Sequence, residues 1–174
     1  MKMKKLTSGL LALALALTLT EAAQGEPKHR RHANKAQRTA TVDRNSFAVA
    51  NSHVIRVRHP RAWWVARFPN TRFVLFGGGY YYWWNGYWYP AYGYSPYYSA
   101  YSYDGPIYGY NNYAPGQVTE NVQLALRTQG YYHGAIDGLI GPETRSALAQ
   151  YQRSNGLVVT AAIDQPTLVT LGLA

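Results

Sequence analysis

Residues able to do acid–base or covalent chemistry are few in this chain, and their placement tells more than their number. Five histidines stand at His29, His32, His53, His59 and His133. Four of them lie in basic or extended stretches with no carboxylate at metal-ligand spacing, so a zinc site built from His with Asp or Glu lacks its partners. Cysteine is absent. That removes disulfide frameworks, Cys-ligated zinc, iron–sulfur clusters and a thiolate nucleophile. Glycoside hydrolysis needs carboxyl groups in a folded cleft, yet beyond residue 25 glutamate is limited to Glu26, Glu120 and Glu143. The last two fall in the first turns of expected helices. No Ser-His-Asp set sits on an identifiable scaffold. The expectation is no catalysis, no cofactor and no metal.

Aromatic surface and positive charge are what the sequence does supply, and both are concentrated. Of 17 tyrosines, 14 fall between Tyr80 and Tyr113, and the net charge of +9 comes almost wholly from residues 28–72, where 11 Lys/Arg face one acid, Asp43. The chain of 174 residues is therefore a mosaic. Lys2, Lys4 and Lys5 precede an apolar run from Leu10 to Leu19 and then small residues. This reads as an export signal over 1–25, cleaved after Ala22 or Gly25. The run falls short of the roughly 20 residues that cross a bilayer, so no span is expected in the mature chain.

Residues 26–52 form a basic arm too poor in large apolar groups to offset the entropy of ordering, and disorder is expected. Its charge suits anionic envelope polymers; export makes nucleic acid an improbable partner. Over 53–90 the pattern predicts short strands and an aromatic hairpin. His53–Arg58 alternates weakly, Ala62–Phe68 fits helix or strand, and Phe73–Phe76 is a short apolar run ending in glycines. Asn85-Gly86 is the strongest two-residue turn signal, because both central positions take positive φ. Counting outward pairs Trp84 with Tyr87, Trp83 with Trp88 and Tyr82 with Tyr89, and Pro90 closes the strand. Such a face is either a small tyrosine core or a platform for sugar rings. Residues 91–116, rich in Tyr, Gly, Pro and Ser, read as a low-complexity linker, largely disordered.

From residue 117 the pattern becomes helical. Val118, Val122, Ala125 and Leu126 mark one helix, with Gly130 beyond its end. Gly141-Pro142-Glu143 opens a second, with Thr144, Ala147, Leu148 and Tyr151 inward and Gly156 closing it. Asp164 caps a third that ends at Gly172. A faint duplication relates Ala135-Ile136-Asp137 to Ala162-Ile163-Asp164. The fold class is mainly α in this C-terminal module, a three-helix bundle over 117–174.

The run L-R-T-Q-G-Y-Y-H-G-A-I-D-G-L-I-G-P-E-T-R-S-A-L-A-Q-Y-Q-R-S-N-G-L, followed by I-D-Q-P-T-L, resembles the three-helix peptidoglycan-binding domain. Two departures stand out: Tyr151 where phenylalanine is usual, and Ala161-Ala162 where the family often has a glycine before the second Asp. The Tyr-rich half is similar in composition to the N-terminal regions of some exported bacterial proteins with this module. The resemblance implies noncovalent binding to peptidoglycan, in the periplasm or cell wall, with Tyr131, Tyr132, Asp137, Arg145 and Gln152 as candidate ligand-binding residues. For Asp137 a local turn role competes with ligand contact. Two alternatives remain at this stage: a self-associating structural envelope protein, or an accessory subunit whose partner is a cell-wall enzyme.

Overall fold

The computed structural model describes residues 47–174. The expected export signal and residues 26–46 of the basic arm lie outside the described residues. Residues 47–52 are helical, α1, and α2 spans Arg61–Arg67. Four strands follow: β1 (Phe73–Phe76), β2 (Gly79–Trp84), β3 (Tyr87–Pro90) and β4 (Ile107–Tyr108), in one antiparallel sheet of order β1-β2-β3-β4. Three helices complete the fold: α3 (Pro115–Thr128), α4 (Pro142–Ser154) and α5 (Gln165–Leu171).

The hairpin forms in the expected register. Asn85 and Gly86 take φ of 47° and 80°, and the pairs are Trp84 with Tyr87, Trp83 with Trp88, and Tyr82 with Tyr89. Period-two alternation then divides the rings between two faces. Tyr82 and Tyr89 pack with α1 and α2 around the fully buried Trp64. Tyr81 and Trp88 pack on the other side, in one core with Val118, Val122, Leu126, Leu148 and Leu168 of the helical module. The Trp64 indole N–H donates to the carbonyls of His59 and Tyr92, at 3.0 and 3.1 Å, tying α2 to the chain beyond β3.

Four expectations are corrected or resolved. Residues 47–52, expected to belong to the disordered arm, are the helix α1, whose Ala50 is buried in the core around Trp64. Residues 53–58 form no strand. Val54 and Ile55, adjacent in sequence, both pack into the α2 side of the core, which a two-residue period forbids. The Ala62–Phe68 ambiguity resolves as helix, with Trp64 as its buried residue. Residues 91–116 are not a disordered linker: Ile107 is fully buried, Ile107–Tyr108 pairs with β3, and the intervening tyrosines wrap the sheet. The Tyr81 hydroxyl donates to Tyr103 O, and Tyr101 to Tyr80 O at 3.1 Å. A tyrosine buries a large ring while its hydroxyl finds a backbone acceptor. A segment poor in aliphatics can thus still order. Gly109 belongs to the same packing, because a Cβ there would enter the Trp83 ring.

The helical module follows its sequence signals closely. Val118, Val122 and Leu126 of α3 are fully buried, and Gly130 takes φ 79° just past the helix end. Pro142 opens α4 after Gly141. The Asp164 carboxylate accepts the Thr167 N–H at 3.0 Å, and Gly172 closes α5 at φ 76°. The Tyr108 N–H donates to Ile163 O at 2.9 Å, joining β4 to the module.

Candidate functional site

Two buried glutamines organise the turns that carry the candidate residues. Gln123 projects from α3, where its Oε1 accepts the N–H groups of Asp137 and Gly138 at 3.1 and 3.0 Å. Its Nε2 donates to Asp137 Oδ1 at 2.7 Å, and to Leu139 O and Thr144 Oγ1 at 3.1 Å each. Gln152 of α4 repeats the pattern one turn later in the chain. Its Oε1 accepts from Thr160 and Ala161 at 2.9 Å each, and its Nε2 donates to Ala162 O at 3.1 Å and Thr167 Oγ1 at 2.9 Å. Both glutamines are fully buried. Without either amide, two backbone N–H groups would lose their acceptor; the Gly138 N–H is the buried one, where an unpaired donor costs about 1–3 kcal/mol.

The internal duplication is thereby re-registered. Asp137-Gly138-Leu139-Ile140 corresponds to Thr160-Ala161-Ala162-Ile163, and Thr144 to Thr167. The equivalents of the first turn's Asp137 and Gly138 are Thr160 and Ala161, not the Asp164 that sequence similarity suggests. Gly138 takes φ 69° and Ala161 takes φ 52°. The alanine in place of glycine thus sits in the left-handed region, which costs a residue with a Cβ. Gln123 was missed as a key residue in the sequence. Its signal is a helix-borne glutamine preceding a turn and a buried threonine, the order found again at Gln152.

The candidate ligand-binding residues separate by position. Tyr132 is buried, with its hydroxyl donating to Ala135 O at 2.6 Å and accepting from Gln123 Nε2 at 3.2 Å. Together with Gln152, it holds the interior. Tyr131 is half-buried and meets Tyr151 edge-on at 5.2 Å between ring centroids. Asp137 and Arg145 are exposed. The Gln123 amide holds the Asp137 carboxyl below its ordinary 3.8; slight burial opposes this and the Leu139 N–H, at 2.9 Å, adds to it. No hydrogen bond or ring contact joins Arg145 to Tyr131 or Asp137. Tyr131 meets α4 at the buried Tyr151, six residues and about 9 Å along the axis from the exposed Arg145, so the exposed candidates do not line one pocket.

Among the described residues no group of three or more His, Asp or Glu could hold a metal ion. Asp137 is held in its turn, Tyr131 shows part of its ring, and Arg145 carries exposed N–H donors. No described helix is long and apolar enough to cross a membrane.

Curated relatives match about a third of this chain. The "Localization factor PodJL" of Caulobacter vibrioides is 40% identical over 63 residues, 34% of this chain and 6% of that protein. The "Putative OxPP cycle protein OpcA" of Synechococcus elongatus is 46% identical over 52 residues, 30% of this chain and 12% of its own length. The same-named protein of Nostoc punctiforme is 38% identical over 52 residues. The chain thus spans only a small part of these relatives. No solved structure matches it. Residues 115–171, from the start of α3 to the end of α5, match the family described as "Putative peptidoglycan binding domain", and the three-helix bundle fits that match.

Proposed function

We propose that the protein is an exported, non-catalytic cell-wall-binding protein that attaches to peptidoglycan through its helical module, in the periplasm or cell wall. The observation that carries this reading is the family match over residues 115–171. Domains of that family bind without catalysing. The contact residues are Tyr131, Arg145 and the outward side of the Asp137 turn; Tyr132 and Gln123 hold that turn from within, and Gln152 holds the second turn. The basic arm adds attraction to anionic envelope polymers, which fades as the Debye length shrinks from about 10 Å at 0.1 M salt to about 3 Å at 1 M.

Sedimentation with purified sacculi tests this. The chain from residue 26 onward should pellet at low and high salt, more tightly at low salt. Tyr131→Ala with Arg145→Ala should weaken the salt-resistant part about tenfold, or ~1.4 kcal/mol, while far-UV circular dichroism shows the module still folded. A protein that stays in the supernatant at 1 M salt would place the envelope contact in the arm and defeat the assignment.

A further inference from the structure

The loop from Phe68 to Arg72 joins α2 to β1 and is clasped to the end of β2. Thr71 Oγ1 donates to Trp83 O, and the Trp83 N–H donates to Arg72 O at 3.1 Å. Clefts open on either side of Asn70 and Thr71. One, of about 320 Å³, is lined by those two residues with Arg67, Phe68, Pro69 and Trp84. The other, of about 220 Å³, adds Arg72, Trp83 and Asn112. The larger lies at the low end of the roughly 300–1,000 Å³ of small-ligand sites, room for one or two sugar rings.

Their lining has a consistent chemistry. Neither cleft contains a carboxylate. Arg67 makes no hydrogen bond or ion pair to a described residue, and its guanidinium lies 5.2 Å over the Phe68 ring. Arg72 donates to Asn112 O at 3.0 Å and lies 4.7 Å over Trp88, which fixes its plane while leaving N–H donors free. The single acid between residues 47 and 116, Asp104, is paired elsewhere with Arg56 at 3.6 Å. Trp84 is 38% exposed where its sheet neighbours Tyr82 and Tyr89 are buried, and His53 meets its ring edge-on at 5.1 Å. The positive charge here is uncompensated by any carboxylate, and it lies beside a partly exposed indole that lines the larger cleft.

We propose that this double cleft is a second ligand site, separate from the helical module, for a saccharide that carries a carboxylate. The apolar C–H face of a sugar ring stacks on Trp84. The carboxylate takes the Arg67 guanidinium, whose planar fork matches it in two parallel N–H···O bonds. Asn70 and Thr71 stand between the clefts to meet hydroxyl or acetamido groups, and Arg72 receives the next unit. A single-stranded nucleic acid would use stacking and positive charge too, but it needs a row of stacking rings and a groove that tracks successive phosphates. One exposed indole and two separated guanidinium groups suit a short acidic glycan better.

The tryptophans make the test selective. All five, Trp63, Trp64, Trp83, Trp84 and Trp88, precede the helical module, so indole emission reads the sheet region. The full chain is titrated with a peptide-free N-acetylglucosaminyl-N-acetylmuramic acid disaccharide, digalacturonate, neutral N,N′-diacetylchitobiose and an oligothymidylate. Affinities are confirmed by calorimetry. A saturable response to either acidic disaccharide, at least tenfold tighter than to chitobiose, supports the site, and the tighter of the two identifies the sugar source. Arg67→Ala should bring the acidic sugar down to the neutral one's affinity, Arg67→Lys should recover part of it, and Trp84→Ala should abolish calorimetric binding. Equal affinity for chitobiose, no change in Arg67→Ala, no saturation by either acidic sugar, or tighter binding of the oligothymidylate overturns the proposal. Sacculus retention through Tyr131 and Arg145 is measured separately, so either reading can fail without the other.

Discussion

The aromatic sheet and the helical module bury polar groups by opposite routes. In the sheet, the polar atom sits at the tip of the side chain that supplies the core. Tyr81, Tyr101 and Tyr103 pack their rings and donate their hydroxyls to backbone carbonyls. In the module, aliphatic side chains fill the core, and Gln123 and Gln152 bridge the backbone of the turns. The sheet's solution leaves many ionisable hydroxyls in low dielectric, whereas the module bridges its turns with neutral amides and buries few ionisable side chains, Tyr132, Tyr151 and Asp164. The regions should therefore answer differently to pH although they share a core.

That shared core makes the strongest demand. Trp88 is fully buried in the cluster that joins the sheet to α3, α4 and α5, and its indole N–H donates to Tyr113 O at 3.1 Å. Trp88→Ala should cost about 3–5 kcal/mol. Thermal melts followed by far-UV and near-UV circular dichroism should shift down together. If only the near-UV transition moves, the sheet and the module are separate cooperative units and the comparison becomes one between two domains.

Alkali sharpens the contrast. Desolvation raises the Tyr82 and Tyr101 hydroxyls from 10.0 to about 12; Arg67 opposes it at Tyr82, and a hydrogen bond to Tyr80 O opposes it at Tyr101. Burial pushes Tyr81, Tyr89 and Tyr103 upward as well. The fold holds the neutral hydroxyl. Stability is therefore whole below pH 10 and is lost as the pH rises from there through the folded values, because the unfolded chain ionises first. Near-UV signal and tyrosinate absorbance, recorded against pH, should show a cooperative loss of the sheet above pH 10. A gradual, non-cooperative titration of all 17 tyrosines from pH 10 would show that their burial is not what holds the sheet.

The smallest effect lies in the module. Ala161 at φ 52° stands where its structural counterpart is Gly138. Ala161→Gly should relieve the Cβ strain and stabilise the protein by about 1 kcal/mol, after the greater unfolded-state freedom of glycine is offset. A denaturant midpoint that is unchanged or lowered would mean that the second turn has adapted to alanine.

The two regions also differ in how far they could be read in advance. Helix ends in the module are set by neighbours in the chain: Pro142 in a first turn, Asp164 as a cap, Gly130 and Gly172 past the last turns. The Asn85-Gly86 hairpin was legible for the same reason, since its register follows from the turn alone. The Tyr-rich segment was not, because composition counts few aliphatics and misses that its rings bury against a sheet far away in sequence. Among the candidate residues, the two tyrosines at 131 and 132 are chemically alike on paper. Only the packing sends Tyr132 inward to Gln123 and leaves Tyr131 half-open.

The sequence by itself determined the three-helix module, its caps, the hairpin and the absence of cysteine chemistry. Each of these depends on residue type and short-range spacing, which backbone sterics and local hydrogen bonds translate directly. Tertiary structure alone decided the order in residues 91–116, the joining of the sheet and the module into one core, and the paired clefts beside Trp84. Arg67, Asn112 and Trp84 are distant in the chain, and they come together only where burial of the aromatic faces fixes how the sheet, its loop and the tyrosine wrap lie against one another.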